Sequence, residues 1–254
     1  MISLVVIAFN EEDNIGRCLE SARGVVDDMV VVDSFSTDKT VDIATRLGAR
    51  VLTRAFGGYV DQKSWAVAQA LHDHVLLLDA DEALSPELQK AVRQIRSEWT
   101  HDGYALNRLS SLSGRWIRHG AWYPDRKIRL FDRRLYRMVG NDPHDRIEMD
   151  KGARIRRINA DILHYTNDSL DSRVASINRL SRAAANAAFN NGKRTSLPAI
   201  LLKPALRFFK EFWWQRGFLD GYFGYFIAKT SAQYVFFREM KLWELWQVRT
   251  KTRT

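Results

Sequence analysis

The run His74-Val75-Leu76-Leu77-Leu78-Asp79-Ala80-Asp81-Glu82 constrains this chain more than any other stretch. Its apolar residues follow one another without alternation, the pattern of a strand covered on both faces, as in the parallel sheet of an α/β domain. The run then breaks into three carboxylates, Asp79, Asp81 and Glu82. In open α/β sheets ligands gather at the carboxyl ends of the strands, so chemistry is expected here. In extended backbone Asp79 and Asp81 share one side, and together they offer oxygen to a hard divalent cation. The plainer reading is a solvated acidic loop ahead of a helix, with Ser85 as N-cap and Pro86 at the first helical position.

Alternating elements surround that strand. Ser3 to Ala8 is β-rich and is followed by a helical pattern at Ile15, Leu19 and Ala22. Met29 to Val32 is a second buried strand ending in Asp33, and Thr37 or Asp38 can cap a helix carrying Val41, Ala44 and Leu47, with Gly48 as its stop. Arg50 to Leu52 is a short strand, and a Gly57-Gly58 break precedes an alanine-rich helix from about Asp61 to Leu71. This order implies a parallel sheet with right-handed crossovers. Glu11 and Asp33 then stand at strand ends equivalent to the Asp79 position. Neither GxGxxG nor GxxxxGK[ST] accompanies them, which argues against a dinucleotide domain or a P-loop. A carboxylate so placed can accept hydrogen bonds from a ribose hydroxyl or a base N–H, or can simply favour a helix start.

The chain of 254 residues, 46% apolar, is long enough for one large domain with an appendage. Its single cysteine, Cys18, leaves no disulfide framework and fits a reducing compartment. The opening MISLVVIAFN is expected to be a strand and not a signal peptide. No stretch reaches the ~18 apolar residues of a spanning helix. Charge is uneven: residues 1–100 carry 10 Lys and Arg against 16 Asp and Glu, and residues 101–254 carry 29 against 14. An acidic half that could hold a metal is joined to a basic half that could hold phosphates or an anionic surface.

Four ordered blocks, VVIAFNEEDNIGRCLES, VVVDSFSTDKTVDIA, FGGYVDQKSWAVAQA and LLLDADEALSP, resemble family-2 inverting glycosyltransferases of GT-A fold. The later WYPDRKIRLFDRR, PHDRIEM and LHYTNDSL are similar to the branch that contains bacterial lipopolysaccharide-core enzymes, the β-1,4-glucosyltransferase type above all. The resemblance implies an α/β GT-A fold, Rossmann-like and built for nucleotide-diphospho-sugars, with a C-terminal helical extension that associates with membrane. It implies that Ala8, Asn10, Glu11 and Asp33 surround the nucleoside of a UDP-sugar, that Gln62 and Lys63 border the diphosphate, and that Asp79, Ala80 and Asp81 complete the donor site. Asp81 and Asp79 would hold Mn²⁺ or Mg²⁺, joined by a late histidine, for which His164 is the candidate. The metal would stabilise charge developing on the departing nucleoside diphosphate.

From Gly103 to Glu148 short strands carry aromatic and polar residues: Tyr104 to Asn107, Trp116-Ile117, and Trp122 to Asp125. Trp122 and Tyr123 suit a sugar platform or are ordinary half-buried strand aromatics. Arg126, Lys127, Arg129, Arg133 and Arg134 form a basic cluster suited to phosphate. An inverting transfer needs one general base near the acceptor hydroxyl. Asp145 stands where the resembled branch carries a His-Glu pair, and His144 beside it could orient the carboxylate or touch phosphate; Asp125 is the alternative. The shorter Asp is a departure from that pattern.

Residues 193–254 hold 12 Lys and Arg, 4 Asp and Glu, and about half of the aromatics. A helix from Ser172 to Asn190, a segment opened by Pro198 with Pro204 as a further break or helix start, and a last helix with Tyr234, Phe236, Phe237, Met240, Leu242, Trp243 and Trp246 are expected. Basic residues beside Trp, Phe and Leu describe an element lying on an anionic leaflet, or a helical core, or both; nucleic-acid stacking fits poorly. The expected organisation is 1–100 for the donor half, 101–170 for the acceptor half and 171–254 for the extension. The expected function is metal-dependent transfer of a hexose, glucose on the resemblance, from a UDP-sugar to a lipid-anchored saccharide, the lipopolysaccharide inner-core heptose. The enzyme would be peripheral on the cytoplasmic face of the bacterial inner membrane. Transfer to polyprenyl phosphate and a non-catalytic sugar-nucleotide-binding protein are the alternatives, and the oligomeric state is left open.

Overall fold

A computed structural model describes residues 1–141, 144–166 and 169–251, without the side chains of residues 141, 144 and 249–251. The chain divides into two compact units, 1–109 with 125–165, and 110–124 with 166–254. Segment 110–124, expected among the acceptor-half residues, therefore groups with the C-terminal helices.

In chain order the first unit contains β1 (Ile2–Ala8), α1 (Ile15–Ala22), β2 (Asp28–Asp33), α2 (Thr40–Arg46), β3 (Arg50–Thr53), α3 (Tyr59–Ala68), β4 (His74–Asp79), β5 (Glu82–Leu84) and α4 (Pro86–Ser97). Next comes β6 (Gly103–Leu112), whose end crosses into the second unit and pairs there with β7 (Arg115–Trp116). β8 (Asp125–Asp132), the antiparallel pair β9 (Tyr136–Asn141) and β10 (His144–Met149), and β11 (Ile155–His164) return to the first. The main sheet runs β3-β2-β1-β4-β8-β6-β11-β5. β1 pairs in parallel with both β2 and β4, and β8 adds antiparallel to β4. The chain winds outward from β1 to β3, then returns to β4 on the other side, so β1 and β4 flank the point where strand order reverses and where ligands sit in such sheets.

The absence of alternation in β1, β2 and β4 follows from two apolar layers. Leu4, Val6, Leu76 and Leu78 pack with Ile15, Leu19, Leu88 and Val92 on one face. Val5, Val30, Val32, Val75 and Leu77 pack with Ala66, Val67 and Phe131 on the other. Each of these fully buried aliphatics contributes roughly 1.5–3 kcal/mol.

After Asp79 the chain turns at once into the short β5 and then α4. Ser85 caps α4 by accepting the Leu88 N–H at 3.1 Å, with Pro86 at its first position. Ser85→Ala is expected to cost about 1 kcal/mol and to lower Tm by about 2–4 °C in a thermal melt followed by circular dichroism. An unchanged Tm would mean that the hydroxyl contributes nothing to holding this helix.

The second unit packs α5 (Leu170–Asn190), α6 (Leu197–Phe209) and α7 (Gly221–Lys251). One expectation from the sequence is corrected here. Pro204 does not break or start a helix; it lies inside α6. α7 begins at Gly221, and Gly224 lies against Gly217, where an added Cβ would collide with the Gly217 carbonyl oxygen. Only glycine permits that approach. Much of α7 faces inward. Ile227 joins Leu112 and Ile117 in an apolar cluster, Lys241 donates to the Asn178 carbonyl at 2.8 Å, and Trp246 Nε1 donates to the Lys193 carbonyl at 2.8 Å. Among the described residues no helix is long and apolar enough to cross a membrane.

Candidate active site

At the carboxyl ends of β1 and β4 the first unit opens a cleft of roughly 1060 Å³, lined among others by Ala8, Glu11, Ser34, Lys63, Asp79, Ala80, Asp81, Arg129, Asp145 and His164. Its centre is a chain of opposite charges. Lys63, on α3 and almost fully buried, places Nζ 2.7 Å from Asp79 Oδ1 and 3.0 Å from Asp145 Oδ2. Asp79 Oδ2 in turn lies 2.7 Å from Arg129 Nη2, and Arg129 reaches Glu82 Oε1 at 3.2 Å. Glu82 also accepts the Asp79 backbone N–H at 3.0 Å, which closes the turn after β4. Arg108 stands 3.7 Å from Glu82.

These contacts set the protonation states. Burial alone would raise Asp79, but Arg129 and Lys63 more than reverse it and hold the carboxyl well below the usual carboxylate range. Glu82 keeps a raised pKa because burial and the Asp79 charge outweigh Arg129. Arg129 is desolvated too, yet Asp79 and Glu82 lift it above its ordinary value and fix it as a cation. Glu11 is raised mainly by partial burial, opposed by the Asn14 hydrogen bond and reinforced by Asp81, Asp38 and Asp79.

Asp79 therefore has both oxygens engaged by cations, whereas the sequence groups it with the metal ligands. Asp81 is different. Its Oδ2 lies 3.2 Å from His164 Nε2, and both side chains are partly exposed in the cleft. Residues 83 positions apart are joined because β11 pairs antiparallel with β5, with His164 opposite Glu82. Among the described residues no cluster of three or more His, Cys, Asp or Glu is arranged around one cation. Asp81 and His164 are thus a two-residue donor set, which fits a cation that takes its remaining oxygens from a phosphate ligand and water.

Toward the β1–β2 side, Asp33 is buried; Oδ2 accepts the Ser36 N–H at 2.9 Å, and Oδ1 has no hydrogen-bond partner. Gln62 is buried as well, donating to Ser34 Oγ at 3.1 Å, with Oε1 unpartnered. Asn10, with φ of 53°, ties two loops by donating its N–H to Ser36 Oγ and accepting the Thr37 N–H. It does not line the cleft, whereas Ala8 and Glu11 do.

The basic cluster splits. Arg126, Lys127 and Arg129 line the cleft at one end of β8. Arg133, past its other end, donates to the carbonyls of Val67, Ala68 and Ala70, and Arg134 pairs with Asp132. Asp125 does not line the cleft; Arg108 and Lys127 hold its oxygens at 2.8 and 3.3 Å. Trp122 and Tyr123 belong to the second unit, where Trp122 packs beside Leu112, Ile117 and Ile227 and lies under Arg173 at 5.2 Å. The side chain of His144 lies outside the described residues. Glu82 and Arg108 have site positions that no sequence expectation assigned. Glu82 was visible as the last acid of the DADE run, while Arg108 carried no signal.

The sequence profile of glycosyl transferase family 2 matches residues 3–159. The chain belongs to this family. An uncharacterized glycosyltransferase of Rickettsia felis is 33% identical, over 96% of this chain and 89% of its own length. LpsC of Rhizobium meliloti, a lipopolysaccharide core biosynthesis glycosyltransferase, is 24% identical over 96% of this chain and 92% of its own. A glucosyl-3-phosphoglycerate synthase from Mycobacterium tuberculosis, solved with Mn²⁺, UDP and glucosyl-3-phosphoglycerate, superposes with a TM-score of 0.47 and 19% identity over 77% of this chain and 81% of that one, a likeness too loose to transfer site residues. The transferase has the α/β GT-A fold expected from its sequence, followed by a helical extension. Of the residues that the sequence expects around the donor, the cleft is lined by Ala8, Glu11, Lys63, Asp79, Ala80 and Asp81, together with the candidate base Asp145, and not by Asn10, Asp33 or Gln62.

Proposed function

We propose that the cleft binds a UDP-sugar and transfers its hexose, with inversion, to a hydroxyl of a lipid-anchored saccharide. The observation that carries this reading is the convergence of Lys63, Asp79, Asp81, Asp145 and His164 at the ends of β4 and β11. Asp33 Oδ1, a buried acceptor without a partner, suits an N–H of the base or a ribose hydroxyl. Lys63, Arg126 and Lys127 supply positive charge for the diphosphate. Asp145 takes the acceptor proton as the acceptor oxygen forms its bond to the anomeric carbon, and the electron pair of the breaking glycosidic bond leaves on the diphosphate. Asp81 and His164 would hold Mn²⁺ or Mg²⁺, whose charge favours that departure. Glucose as the sugar and a lipopolysaccharide-core heptose as the acceptor follow from the resemblance, and the likeness to LpsC supports the acceptor class.

The test is UDP release from a panel of UDP-sugars, with and without Mn²⁺ and with extracted lipopolysaccharide core. Metal-stimulated release that requires the core is expected, and absence of UDP binding overturns the reading. Asp81→Ala should raise the Mn²⁺ concentration for half-activation by at least the roughly 10–100-fold that loss of an outer-shell partner costs a metal site. An unchanged Mn²⁺ response in that variant would remove Asp81 from the metal.

A further inference from the structure

We propose that the solvent face of α6 docks in the plane of an anionic lipid bilayer surface. Leu202, Leu206 and Phe209 follow the i, i+4, i+7 spacing that makes one stripe of α6, and Trp213 follows in the π-helical turn Lys210–Trp214 that continues it. They are 60%, 65%, 58% and 54% exposed. The opposite stripe, Ile200, Phe208 and Glu211, turns inward, and α6 packs on α7. A soluble amphipathic helix buries its apolar stripe; here the largest apolar side chains point to solvent. Trp214 beside them is 80% exposed, and an indole with an apolar body and one N–H suits the headgroup level of a bilayer.

Charge selects the occupant. Residues 193–216 carry six Lys and Arg and one acid, Glu211, which is buried. Lys203, Arg207 and Lys210, again at i, i+4, i+7, run as a row along one flank of the stripe. Lys203 and Arg207 each have one acidic partner, Glu239 and Glu211. A two-fold contact with a second copy through this face would set like-charged segments against each other, because such an interface uses the same patch on both partners. An anionic leaflet accepts both the stripe and the cations. The sequence marked the whole C-terminal third as basic and aromatic. The structure makes the stripe of α6 the more exposed one: Leu242 and Trp246 of α7 are occupied within the helical unit, and Phe236, Met240 and Trp243 of α7 are 38%, 37% and 45% exposed.

The test is flotation of the full chain with vesicles of phosphatidylglycerol and phosphatidylethanolamine, against vesicles of phosphatidylcholine alone. The wild type should float with the anionic vesicles and stay behind with the neutral ones. Leu202→Glu with Leu206→Glu should abolish flotation. Lys210→Gln with Arg216→Gln should weaken partitioning on the order of 30-fold, as two cations near an anionic surface imply. Brominated acyl chains should quench tryptophan emission of the wild type, a readout that needs no variant to fold. Failure of the wild type to float with anionic vesicles, equal flotation on neutral ones, or undiminished flotation of the double Glu variant overturns the proposal. So does a wild-type dimer in sedimentation that the double Glu variant dissociates, because a second copy would then occupy the face. UDP binding on the same samples belongs to the cleft and reports separately on the proposed donor.

Discussion

Asp145→Asn is expected to lower kcat for sugar transfer by about 10³-fold, within the 10²–10⁴ range of a lost general base, while Asp125→Asn changes it by no more than a few-fold. Either carboxylate can be drawn as the base from the sequence, and geometry separates them. Asp145 lines the cleft with Oδ2 3.0 Å from Lys63 Nζ. Asp125 lies outside the lining, with both oxygens held by Arg108 and Lys127. Asn keeps the shape of Asp145 and can still accept from Lys63, and Lys63 keeps its contact with Asp79. Loss of turnover with UDP binding and Tm preserved would therefore report on the proton acceptor and not on a collapsed site. If both variants keep full turnover, the attacking oxygen needs no base. A phosphate oxygen would meet that description, and transfer to polyprenyl phosphate would replace the saccharide acceptor.

What the sequence revealed and what it hid divides by distance along the chain. The buried strand at Val75 to Leu78 and the Ser85–Pro86 helix start are local patterns, and the structure repeats them within a residue or two. The same holds for β1, β2 and β3. The electrostatics of the site are not local. Lys63 meets Asp79 and Asp145 only because α3 packs beside β1 and the β9–β10 pair. Glu82 reads as part of an acidic loop, yet it is a strand residue with no exposure, paired across from β11 and neutralised by Arg129. Arg126 to Arg134 look like one basic cluster in sequence. Arg126 lies near the start of the eight-residue strand β8 and Arg134 just past its end, and at about 3.3 Å per residue the strand sends them to different tasks. Pro204 reads as a break because proline removes a helix donor, but α6 continues through it.

Arg129→Met is expected to destabilise the fold by about 3–5 kcal/mol, the cost of leaving a buried charge unpaired, and to lower Tm by about 6–20 °C. Arg129 is 8% exposed and stands between two carboxylates, Asp79 and Glu82. In the wild type the depressed Asp79 contributes stability that is present above the unfolded carboxylate range and is lost as pH falls through the folded value. Glu82, being raised, works in the other direction: its contribution is full below the unfolded value and is lost as pH rises through the folded one. Without Arg129 the largest charge that lowers both groups is gone, and burial pushes both upward. The variant should therefore gain more stability than the wild type as pH falls from neutral toward the unfolded carboxylate range. Adding Glu82→Gln removes one of the stranded charges and should restore part of the lost Tm. A variant as stable as the wild type at every pH would mean that the three side chains do not act as one charged set. The functional consequence follows from the same contacts. Glu82 accepts the Asp79 N–H and so shapes the turn that presents Asp81 beside His164. Arg129 thus supports a donor pair that it does not itself touch.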